Sequence, residues 1–199
     1  MSVLVSGRGT MQIRYWTVDD IERLPDDEGV RYEIIDGELY VSTQPDWQHQ
    51  FVIGQLFAFL QMWSNSTQAG MANLMPGIIY SKGTAVAPDV VWISRERLRT
   101  ALQPNGKLNT SPELMVEILS PGPGNTHRDR SVKLELYSRH NVEEYWVVNW
   151  RERTIDAYHR GNDVLTFYKT FNENDILETP LLPGFRCPMG QIFTSILDE

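Results

Sequence analysis

The chain has a single cysteine, Cys187, among its 199 residues. That excludes an internal disulfide framework and any CxxC metal or redox site, and a reducing, cytoplasmic setting is the expectation. No stretch approaches the roughly 20 apolar residues of a membrane span; the greasiest run, Phe51 to Trp63, is interrupted by Gln55 and Gln61. The opening residues MSVLVSGRGT lack a basic start followed by a long apolar run, so no secretory signal is expected. Positive charge is scarce: 18 Lys and Arg against 26 Asp and Glu give a net charge of −8, which argues against holding nucleic acid by bulk electrostatics. The local groupings Arg95/Arg97/Arg99, Arg128/Arg130 and Arg151/Arg153 read mostly as solvated surface charge. The four histidines show neither HExxH nor HxxxH spacing, Ser120 has no GxSxG elbow around it, and no GxxxxGK[ST] loop occurs. Zinc, serine-hydrolase and P-loop signatures are therefore missing.

What remains is an ordinary globular composition, 41% hydrophobic and 22% charged, with strand and helix patterns alternating along one expected domain, 1–199, whose first dozen residues read as flexible. Thr17 to Asp20 has capping-box spacing, and a short helix through Leu24 is expected. RYEIIDGELYVS predicts a hairpin about Asp36-Gly37, since a type I′ turn needs positive φ twice; Glu33 then faces Tyr40. Pro45-Asp46 opens a helix to about Trp63. One or two strands should cover Met71 to Tyr80. AVAPDVVWIS reads as one strand carrying Asp89, and ELMVEILS as a central strand, apolar on both faces, carrying Glu117. Thr126 to Asp129 resembles a second capping box, starting a helix to about His140. Three strands, 144–150, 154–160 and 164–170, and a short terminal helix from Met189 complete the pattern.

Glu117 is the most informative residue. A carboxylate inside an apolar strand is costly unless it is paired, hydrogen-bonded or bound to a metal. Asp89 poses the same question in a neighbouring strand, and two facing carboxylates repel. A hard cation such as Mg²⁺ removes the conflict. Asp129, Lys133 and Tyr137 share one helix face at i, i+4 and i+8, from which Lys133 can reach the acid pair. The same spacing fits a buried ion pair with no chemistry.

These residues also carry a resemblance. YEIIDGELYVS, VAPDVVWIS and PELMVEILSPGPGNTHRDRSVKLELYSRHNVEEYWVVN closely resemble the Uma-two family of restriction-endonuclease-like proteins, in the PD-(D/E)XK nuclease superfamily. The resemblance runs from about Tyr32 to Tyr158. It implies an α/β fold, a mixed central sheet of four to five strands flanked by helices. It also implies a metal-dependent endonuclease that hydrolyses nucleic-acid phosphodiesters, with DNA as the expected partner and Mg²⁺ or Mn²⁺ as cofactor. Pro88-Asp89 would be the PD element and Glu117 the (D/E), both metal ligands. Leu119 stands where the usual lysine would be, and the resemblance moves that role to Lys133 on the next helix. Glu33, by pattern alone a solvent-facing strand residue, becomes an additional catalytic acid. His49 is either a substrate contact or simply a surface or capping residue. Tyr137 either touches the site or packs on the sheet, with packing favoured by its apolar neighbours. A homodimer is compatible with cutting two strands. The rival reading is a nuclease-fold binding module without catalysis.

Overall fold

The computed structural model describes residues 3–4, 12–25 and 29–194. Strand β1 (Val3–Leu4) pairs antiparallel with β2 (Gln12–Ile13); the rest of the expected flexible start lies outside the described residues. Helix α1 spans Val18–Ile21, shorter than expected. The Asp20 carboxylate accepts from the Thr17 N–H at 3.0 Å, closing the expected box.

Strands β3 (Arg31–Ile35) and β4 (Glu38–Ser42) form the expected hairpin. Asp36 and Gly37 both have positive φ, 52° and 82°, and Glu33 faces Tyr40. Helix α2 (Trp47–Thr67) is capped by Asp46, whose Oδ1 accepts the His49 N–H at 2.8 Å. After it come β5 (Gly70–Leu74) and β6 (Ile78–Ser81).

AVAPDVVWIS is not one strand. It divides into β7 (Thr84–Val86) and β8 (Val90–Ser94), which belong to different sheets. Pro88 supplies no N–H for a ladder and restricts its own φ, so the chain changes sheets there and leaves Asp89 in the link. Helix α3 is Arg95–Ala101 and strand β9 is Leu114–Ile118.

The next helix also departs from expectation. It begins not at Thr126 but as α4 (Pro123–His127), behind Gly122 at φ 104°. Proline suits a first helical turn, where its missing N–H costs nothing, and glycine admits the positive φ before it. One π-helical turn, Arg128–Val132, leads into α5 (Lys133–Arg139). Strands β10 (Glu144–Asn149), β11 (Thr154–Gly161) and β12 (Val164–Asn172) follow. The short pair β13 (Ile176–Leu177) and β14 (Cys187–Pro188) precedes α6 (Met189–Phe193).

The main sheet is six-stranded, one more than the expected upper limit, in the order β12-β11-β10-β9-β8-β5. It is mixed: β9 and β10 are parallel, and the other neighbours antiparallel. A second sheet has the order β4-β3-β7-β6. Side chains alternate across β9. Leu114, Val116 and Ile118 pack with Val52, Leu56 and Leu60 of α2. Met115 and Leu119 pack with Leu136 and Tyr137 of α5. Glu117 shares the α5 side, beneath Lys133. Among the described residues no helix is long and apolar enough to cross a membrane.

Candidate active site

Three segments bring acidic groups together at one end of the main sheet. On β8 and β9, Val90 pairs with Val116; one further step of that antiparallel register sets Asp89 opposite Glu117. Asp89 Oδ2 accepts the Ile118 N–H at 2.9 Å, and Asp89 Oδ1 lies 3.2 Å from Arg31 NH1. From β3, Glu33 Oε1 accepts the Ala87 N–H at 2.9 Å, and Arg31 donates to the Ala87 carbonyl at 3.1 Å. The hairpin thus clamps the Pro88-Asp89 link that proline leaves without ladder partners.

The helix above supplies two more cations, Lys133 and Arg128. Lys133 is wholly buried, with Nζ 2.8 Å from Glu117 Oε1, 3.1 Å from Glu33 Oε2 and 3.9 Å from Asp129 Oδ1. Tyr137, also wholly buried, donates to Glu117 Oε1 at 2.7 Å. It therefore combines the two alternatives of the sequence reading: it packs against Tyr145 with ring centroids 5.1 Å apart and touches the acid as well. Arg128 Nε binds Asp129 Oδ1 at 2.9 Å, and NH1 reaches Ser42 Oγ at 3.1 Å. Its burial corrects the reading of Arg128 as solvated surface charge; the π-helical turn carries it under the hairpin. Glu33 is buried too, so its strand alternation points at this cluster rather than at solvent.

His49 is buried as well, with Nε2 3.0 Å from the Ile118 carbonyl and 3.6 Å from Asp89 Oδ2. A cavity of about 220 Å³ opens over Asp89, lined by Arg31, Ser42, Thr43, His49 and Ser120 among others. Of the residues expected from sequence, Asp89, Glu117, Lys133, Glu33, Tyr137 and His49 therefore lie in one connected cluster. Sequence reasoning missed Arg31 and misread Arg128, while the i, i+4 spacing of Asp129 and Lys133 did allow for their ion pair. Arg31 sits two residues before Glu33, on the same strand face, which is the signal that could have found it.

Charge is unbalanced. Four buried acids, Glu33, Asp89, Glu117 and Asp129, meet three cations, Arg31, Arg128 and Lys133. Burial, reinforced by Asp89, Asp129 and Glu33, pushes the Glu117 carboxyl up to about 8 in spite of Lys133. Burial also favours neutral Glu33, but Lys133, Arg31 and the Ala87 N–H outweigh it and hold that carboxyl below the usual range. Burial opposes the Lys133 charge, yet Glu117, Glu33 and Asp129 raise its pKa. The excess proton thus belongs on Glu117, and Lys133 stays charged.

Among the described residues no three His, Cys, Asp or Glu side chains are arranged as a ready metal cage. Two facing carboxylates and one unbalanced charge nevertheless fit a hard cation that keeps most of its waters, as Mg²⁺ does.

A comparison with curated proteins found no match. Among solved structures, a "putative nuclease belonging to DUF820" from Anabaena variabilis aligns with a TM-score of 0.72. The alignment covers 89% of this chain and 97% of that one, at 17% identity, a likeness of fold, and that fold is restriction-endonuclease-like. The Uma2 family model, described as "Putative restriction endonuclease", matches residues 18–190. That span contains every member of the cluster built above and most of the chain, and the chain therefore belongs to the Uma2 family.

Proposed function

We propose that the protein is a metal-dependent endonuclease that hydrolyses phosphodiester bonds, with DNA as its substrate. The observation that carries this reading is the surplus carboxylate. Four buried acids against three cations leave Glu117 in need of a proton or a metal ion, near a cavity that Asp89 helps to line.

Asp89 and Glu117 would hold Mg²⁺ or Mn²⁺, which supplies Lewis acidity and lowers the pKa of a bound water. Glu117 has both its hydrogen bonds on Oε1, from Lys133 and Tyr137; these fix the carboxylate plane and leave Oε2 for another partner. The Ile118 N–H and Arg31 orient Asp89 in the same way. Lys133 helps keep Glu33 ionised and anchors Glu117 Oε1, and with a metal ion in place of its proton Glu117 would position the attacking water. Glu33 assists as a second acid that fixes the lysine.

Purified protein with Mg²⁺ is expected to nick or cut DNA, and Glu117→Gln is expected to abolish the cleavage while the protein stays folded. Cleavage that survives this substitution removes Glu117 from the mechanism. One observation favours a second reading, a binding module without catalysis: Lys133 is fully enclosed by carboxylates. Metal binding with no cleavage of any nucleic acid would select it.

A further inference from the structure

We infer that Arg31 is the cation that meets the substrate in this site, and that the cavity over Asp89 receives a phosphodiester oxyanion. The inference rests on the nuclease reading and assigns its substrate contact.

The positive groups of the cluster differ in what they have left to offer. Lys133 has no exposed surface, and its ammonium faces Glu117, Glu33 and Asp129. Arg128 is buried between Asp129 and Ser42. Arg31 alone of the three keeps an open side: 28% of its side chain is exposed, and it lines the cavity beside Asp89 and His49.

Its guanidinium is half used. NH1 donates to the Ala87 carbonyl at 3.1 Å and to Asp89 Oδ1 at 3.2 Å. The Nε–H and the NH2 group make no protein hydrogen bond among the described residues. Nε and NH2 form the side-on fork of an arginine, whose two parallel N–H groups match two oxygens of a phosphate. Asp89 fixes the other edge, so the fork is held in place before substrate arrives. Ser42, Thr43 and Ser120 line the same cavity, and their hydroxyls are the kind of donor the remaining oxygens need. A positive group here also answers how a chain of net charge −8 can accept a polyanion: the attraction is local and sits beside the acids.

If Arg31 only neutralised Asp89, one edge would suffice and the other would be idle. The two roles separate by salt dependence, because a phosphate contact releases counterions and an internal ion pair does not. The test is fluorescence anisotropy with a labelled single-stranded oligodeoxynucleotide, and its oligoribonucleotide counterpart, in Ca²⁺ at several salt concentrations. Arg31→Gln is expected to weaken binding about 10-fold or more. It should also flatten the plot of log affinity against log salt by about 0.7, one phosphate contact on a single strand. Arg31→Lys is expected to keep the slope and still lose affinity, since it retains the charge without the fork.

Unchanged affinity and slope in folded Arg31→Gln overturn the inference. If that variant does not fold, unchanged affinity in Arg31→Lys overturns it instead, as does a wild-type protein that binds neither oligonucleotide. Arg31-dependent binding without any cleavage in Mg²⁺ sinks the nuclease reading and leaves this inference standing; cleavage with Arg31-independent binding does the reverse. The oligomer bound more tightly identifies DNA or RNA as the source of the phosphate.

Discussion

Glu117 shows how a single side chain can advertise a site. A carboxylate between Val116 and Ile118 in a fully buried strand cannot be ionised cheaply, and the structure gives it Lys133 and Tyr137 but no full compensation. This sets a pH dependence. The Glu117 pKa rises from 4.5 to about 8 on folding, so the folded chain holds this proton more tightly than the unfolded one. Its contribution to stability is complete below about pH 4.5 and is lost as pH rises toward 8, at no more than about 1.4 kcal/mol per pH unit. Glu33, shifted downward, acts oppositely, and its contribution is lost only as pH falls below the normal carboxylate range. Metal-free wild-type protein is therefore expected to lose stability between pH 5 and 8 in denaturant titrations, and Glu117→Gln to be flat there. Parallel curves for the two proteins would refute the assignment of that proton. Glu117 and Asp89 were legible in sequence because each interrupts an apolar run. Glu33, His49 and Arg128 were ambiguous or misread, because burial of a polar residue depends on which element lies over it.

At the scale of elements, the local signals were read best where the chemistry is local. Asp36-Gly37 predicted its own turn, and Asp46 its own helix. The Asp46 cap matters to the site because its partner is the backbone of His49, which sits against Ile118 and Asp89. Asp46→Ala is expected to cost about 1 kcal/mol of stability, read as a lowered unfolding midpoint. A midpoint equal to wild type would show that the tertiary contacts of α2 hold its first turn unaided. Two features were not legible. The break at Pro88 is hidden by apolar residues on both sides, which look like one strand until the two halves join different sheets. The π-helical turn at Arg128–Val132 leaves no periodic mark, because it shifts the hydrogen-bond ladder within a single turn. The turn carries the buried Arg128 and Asp129 just before Lys133.

At the scale of the molecule, the surplus negative charge of the cluster predicts a response to divalent metal. An ion that binds the folded chain alone stabilises it by mass action, about 2.7 kcal/mol at one hundred times its Kd. Addition of Mg²⁺ or Mn²⁺ at pH 8 is expected to raise the unfolding temperature of the wild-type protein but not of Asp89→Asn. Equal shifts in both proteins would place the ion elsewhere. The sequence by itself determined the α/β class, the order of most elements and the two carboxylates at the centre. These follow from periodicity, turn chemistry and the cost of an acid in an apolar strand, all properties of short segments. Only the tertiary structure decided that the β3–β4 hairpin folds over the sheet end to bring Arg31 and Glu33 onto Asp89. It also decided that Lys133 is enclosed while Arg31 stays open. Those outcomes depend on contacts between residues far apart in the chain, such as Lys133 with Glu33 and Arg31 with Asp89, and no local pattern records which of several cations will be the one left facing the cavity.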